Sequence, residues 1–230
     1  MTDILIFDQL NRNLWTFTIT LLFVSTLILL NRGRKSKNSQ ESFFFFGLFA
    51  VFMGLTLQRF FFFISDYFTT GYYVGDAYYG YYDISDPVYT TLVAIGYLAF
   101  FIAMTLSFVM FESILKETKY FFSFISFIAL MTFLYVPISY KVALRYFLII
   151  IDGTLLFVIL IRLLRFSDER FQLITKTMLI SLALYVFGSI ADTGLLKELA
   201  GSPSFPILFF IASAFIGLYT MVLNLDTENT

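Results

Sequence analysis

The chain has 230 residues, 59% hydrophobic and 13% charged, with a formal net charge of −1 and a mean hydropathy of +0.84. Soluble domains carry about 45–50% apolar and about 25% charged residues, so this composition describes an integral membrane protein and gives no footprint for nucleic acid. With neither cysteine nor histidine, it excludes disulfides, thiolate nucleophiles, His-ligated metal or haem and Ser-His-Asp catalysis.

The N-terminus, MTDILIFDQLNRN, is acidic and lacks the basic flank of a signal peptide. Its apolar run, about 14–31, ends in NRGRKSKN, a stop-transfer flank, and is expected to be a retained membrane helix. Further runs near the 20 residues needed to cross about 30 Å of hydrocarbon predict helices over about 43–65, 88–111, 120–138, 142–165, 170–192 and 204–224. The expected fold is all-α: a seven-transmembrane-helix bundle forming one domain over 1–230, with no soluble domain.

Lysine and arginine counts predict the orientation. Ten lie on one side, in the segments holding Arg32 to Lys37, Lys116 and Lys119, and Arg162 to Lys176; four lie on the other, Arg12, Lys141, Arg145 and Lys197. The positive-inside rule puts the richer side in the cytoplasm, with the N-terminus outside and the C-terminus inside, in the cell membrane. The long outer connection, DYFTTGYYVGDAYYGYYDISDP, has three glycines, four aspartates and no basic residue. It reads either as an interfacial flap or as an aromatic, acidic lid over an outward-facing site.

Three matches recur in order along the chain. Thr20 to Val24 repeats as Thr154 to Val158, Ile64-Ser65-Asp66 as Ile190-Ala191-Asp192, and Phe100 to Ala103 as Phe209 to Ala212. They suggest a 3+1+3 internal repeat with helix 4 as connector, of a kind found among transporters. This topology resembles that of opsins, seven-helix receptors and small PQ-loop sugar carriers. An opsin needs a lysine in its last helix, and residues 204–224 have none. None of the four prolines is followed by glutamine, so the Pro-Gln pair of the carriers is missing too.

Ionisable groups deep in a bundle cost about 2.5–3.5 kcal/mol on insertion scales and usually turn inward to a partner. Asp152 lies close to the midplane of helix 5, and Arg59 of LQRFFFFISD lies about 10 Å below the outer surface. Arg145 shares a face with Asp152, and Ser181, Tyr185, Ser189 and Asp192 form a stripe on helix 6. These stripes predict an outward-opening pocket with an Arg59–Asp152 pair, neighboured by Gln58 and Tyr185 and flanked by Arg145 and Asp192. The pair reads as a ligand site or as a staple between helices; alternatively, Arg59 snorkels outward. Gly96, Ala99, Ala103 and Ser107 on helix 3 read as packing.

The functional expectation is a receptor- or sensor-like module for a small ligand or ion arriving from outside, with signalling through a membrane or cytoplasmic protein partner. The alternatives are a small secondary transporter using Asp152 as a midplane proton or cation site, and an accessory subunit of a larger membrane complex. No catalytic role, metal or cofactor is expected.

Overall fold

The computed structural model describes the backbone of residues 2–69, 87–136, 138–166, 169–191 and 205–223. The tyrosine-rich connection over 70–86 and Asp192 lie outside the described residues, and so do the side chains of Asp66, Lys141 and Arg145.

Seven helices account for nearly all of the described chain: α1 (Thr2–Lys35), α2 (Ser39–Thr69), α3 (Pro87–Leu115), α4 (Phe121–Tyr135), α5 (Ile138–Phe166), α6 (Glu169–Ala191) and α7 (Phe205–Leu223). Their hydroxyl residues fit an apolar helix by bonding back to the preceding turn. Thr18 donates to the Leu14 carbonyl, Thr26 to Leu22 and Thr56 to Phe52, at 2.8, 2.8 and 2.6 Å.

Among the described residues, five helices are long and apolar enough to cross a membrane, over Arg12–Lys35, Ser39–Ser65, Pro87–Leu115, Phe147–Arg165 and Gln172–Ile190. The remaining two, α4 and α7, carry shorter apolar segments, Phe121–Tyr135 and Pro206–Tyr219. At about 1.5 Å per residue, the 15 residues of α4 reach about 22 Å, less than a full hydrocarbon core. Its ends differ from the expected 120–138 for local reasons. Tyr120 is left-handed, with φ 61°, and the helix starts after it. Val136 precedes Pro137 and is extended, as the ring of a following proline demands, so the helix stops at Tyr135.

The helices close into a ring. Packing runs from α1 to α2, α3, α5, α6 and α7 and back to α1, while α4 packs against α3 and α5. Antiparallel neighbours follow from the contacts at one end. Phe44 of α2 meets Phe111 of α3, and Arg162 of α5 lies over Phe122 of α4. The last turns of α3 and α5 therefore share an end with the first turns of α2 and α4.

The closest seam is between α2 and α3. A Cβ at Gly54 would lie 2.6 Å from the Ala103 Cβ, and one at Gly47 would lie 2.5 Å from the Phe111 ring. Only glycine permits that approach, and the expected packing role of Gly96 and Ala103 is met on this seam. Around it, Phe101, Phe108, Phe111, Phe133 and Phe210 are fully buried. Many phenylalanines outside the core, such as Phe124 and Phe187, are exposed on the bundle's outer surface, where lipid is their natural neighbour.

Candidate functional site

Among the described residues, two buried polar centres lie within the bundle, on different sets of helices. The first is built on the α2 stretch that reads LQRFFFFISD. Arg59 is only 6% exposed. Its Nε donates to the Tyr185 hydroxyl at 2.8 Å, and Nη2 donates to the Ser189 hydroxyl at 3.3 Å. Tyr185 in turn donates to Gln58 Oε1 at 3.3 Å. Tyr185 and Ser189 are four residues apart on α6, so they present two oxygens on one helix face toward the guanidinium.

Aromatic rings enclose the same cation. The guanidinium carbon lies 4.0 Å from the Phe210 ring centre, 5.0 Å from Trp15, 5.2 Å from Tyr185 and 5.9 Å from Phe62. All four are within the range over which a ring quadrupole attracts a cation. The rings also hold one another: Tyr185 and Phe210 meet edge-to-face at 4.9 Å, and Trp15 lies 5.3 Å from Phe210. One arginine thus ties α2 to α1, α6 and α7. Below it, Thr26 and Thr56 join α1 to α2 at 3.4 Å. Ser181 and Ser213 join α6 to α7 through reciprocal bonds to each other's carbonyls, at 2.8 and 2.7 Å.

The second centre lies on α3, α4 and α5. Asp152 is fully buried. Its Oδ2 accepts from Ser126 at 3.2 Å, Ser126 meets Thr105 Oγ1 at 3.1 Å, and Thr105 donates to the Phe101 carbonyl at 2.9 Å. Asp152 Oδ1 is buried with no hydrogen-bond partner.

The structure brings Arg59, Gln58 and Tyr185 together and does not join Arg59 to Asp152. Similar depth does not make two groups neighbours: α2 packs on α1 and α3 and does not pack on α5. Asp152 faces the α3–α4 side of its helix, while Arg59 faces α6 and α7. Arg145 lies on α5, but its side chain is outside the described residues, as is Asp192.

Sequence reasoning missed Trp15, Phe62 and Phe210 around the guanidinium, because aromatic residues are too frequent here to stand out. It also missed Ser126, one of three serine or threonine hydroxyls on α4 with Ser123 and Thr132. A third feature it passed over is Glu112, 2% exposed near the end of α3. Its carboxylate accepts the backbone N–H groups of Phe122 and Ser123, at 3.0 and 2.8 Å, and the Ser123 hydroxyl as well. Tyr120 supplies no side-chain cap, so α4 takes its N-terminal cap from a neighbouring helix.

No protein-family model matches the chain, nor does any curated protein or solved structure.

Proposed function

We propose that this chain is a seven-span protein of the cell membrane, N-terminus outside, acting as a receptor- or sensor-like module that binds a small ligand from the outer side at the Arg59 centre. The observation that carries the reading is the Arg59–Tyr185 bond, which spans 126 residues and links the first three helices to the last three. The same offset separates Asp66 from Asp192, the matched helix ends of the 3+1+3 pattern. Under that repeat, Arg59 and Tyr185 are equivalent positions that meet between the two halves. The packing order agrees with it: exchanging α1, α2 and α3 for α5, α6 and α7 maps the ring onto itself. In proteins built from such repeats, ligand sites lie at the interface between the repeats.

A guanidinium suits a carboxylate or phosphate group, which it can grip through two parallel N–H bonds. The test is a thermal-shift screen of small carboxylates and phosphate esters on the detergent-purified protein. A ligand present at 100 times its Kd stabilises by about 2.7 kcal/mol, a shift of several degrees. At least one compound is expected to shift wild type and to fail with Arg59→Met. A shift that survives in Arg59→Met removes Arg59 as the site; no shift across the panel removes the reading for this ligand class.

A second reading, a small transporter, is favoured by the Asp152 centre. With Ser126 donating to Asp152 and Thr105 to Phe101, the Thr105–Ser126 contact has no hydroxyl hydrogen left. One further positive charge, a proton or a cation, would complete the cluster. Proton-coupled flux in proteoliposomes that disappears in Asp152→Asn supports this carrier; flux unchanged in Asp152→Asn sinks it.

A further inference from the structure

The turn between α3 and α4 forms, with the end of α5, a cavity of about 580 Å³ that neither buried centre uses. Its two cations are Lys119 and Arg162, both exposed. Thr118 also lines it; this residue is only 9% exposed, and its hydroxyl has no hydrogen-bond partner. A buried hydroxyl without a partner is costly and marks a place where a polar group is missing. Tyr120, Phe121 and Phe124 complete the rim, exposed by 54, 60 and 62%.

Among the described residues, the nearby acids do not cancel this charge. Glu112 is committed to the first turn of α4, and Glu117 is exposed and outside the lining. Position adds a further argument. The cavity sits where the apolar spans Pro87–Leu115 and Phe147–Arg165 end, at the level where headgroups meet acyl chains. A free phosphate would suit the cations but leave the aromatic wall unused, and a cavity of this size is in the range of small-molecule sites, about 300–1,000 Å³. Basic pockets between helices at a membrane surface are suited to anionic headgroups.

We infer that the α3–α4 turn and the end of α5 form a binding site for an anionic phospholipid. The phosphate is held between Lys119 and Arg162, with Thr118 as hydroxyl donor, and the acyl chains lie along Phe121 and Phe124. This site is independent of the ligand reading at Arg59 and rests only on the chain being a membrane protein.

The test is native mass spectrometry of the detergent-purified full chain titrated with phosphatidylglycerol or with phosphatidylcholine of the same acyl chains, and with inorganic phosphate. Phosphatidylglycerol is expected to bind at least tenfold more tightly than phosphatidylcholine. The preference should fall at least tenfold in the K119Q/R162Q double variant and several-fold in Thr118→Val. Arg165→Gln removes an exposed charge on the same helix end, outside the cavity, and should leave the preference unchanged. If the double variant fails to fold, the single variants K119Q and R162Q carry the test, each with a several-fold loss. Equal binding of the two lipids, an equal loss in Arg165→Gln, or full competition by millimolar inorganic phosphate overturns the proposal; the last would make this a free-phosphate site.

Discussion

The two buried polar centres solve the same problem in opposite ways. Arg59 gathers oxygens from Tyr185 and Ser189 and the faces of four rings, drawn from α1, α2, α6 and α7. Asp152 has one hydroxyl from Ser126 and a buried oxygen with no partner. A cation can be solvated by aromatic faces, which the sequence has in plenty; a carboxylate cannot, because ring faces repel it. The arginine is therefore embedded in the packing of its half of the ring. The aspartate is buried with its solvation incomplete. In the first arrangement the cation is already solvated within the bundle, and in the second one carboxylate oxygen is left without a partner.

Mutations can break or sharpen this contrast. Arg59→Ala should have the largest effect. It empties the ring cage and strips Tyr185 and Ser189 of their donor, and should cost about 3–5 kcal/mol, read by unfolding in mixed micelles. Next comes Tyr185→Phe, which keeps the ring over the guanidinium and removes only the hydroxyl. A loss of about 1–2 kcal/mol is expected; no loss would shift the weight of the junction from the Tyr185 hydroxyl to the cation–ring contacts and the Ser189 bond. Asp152→Asn should change stability by less than about 1 kcal/mol, since the amide retains an acceptor for Ser126. A loss as large as that of Arg59→Ala would erase the distinction between the centres.

The smallest effect concerns Gly153, beside Asp152. A Cβ there meets nothing within 4 Å, so close packing does not demand a glycine, and α5 runs without interruption from Ile138 to Phe166. Gly153→Ala should stabilise by about 0.5 kcal/mol. If the glycine serves a bend during transport, the same variant gains stability and loses flux; retained flux assigns no motion to it.

Much of this was legible in the chain. Apolar runs and charge punctuation located the seven helices of the described residues, and four-residue steps on α6 put Tyr185 and Ser189 on one face, where Arg59 meets them. Depth arguments reached no further, because they fix height along the bundle normal and leave position around the ring open. The Arg59–Asp152 expectation failed on that missing coordinate. α7, Phe205–Leu223, lies within a residue of its expected bounds at each end, whereas α4, Phe121–Tyr135, is shorter than the expected 120–138: Pro137 was visible as a stop, but the left-handed start at Tyr120 has no sequence signature, since tyrosine rarely adopts that conformation. The Glu112 cap was hidden for a similar reason, because it joins residues of different helices through backbone N–H groups that every sequence possesses.

That cap ties the start of α4 to the end of α3. A helix of 15 residues is a poor independent passenger in membrane insertion, and the N–H groups at its start must find acceptors before they leave water. Glu112 supplies them from the preceding helix, and α4 in return gives that carboxylate a place below the surface. Each partner shields the other's polarity, so α3 and α4 form one hairpin whose turn cannot open without exposing both the carboxylate and the first N–H groups of α4.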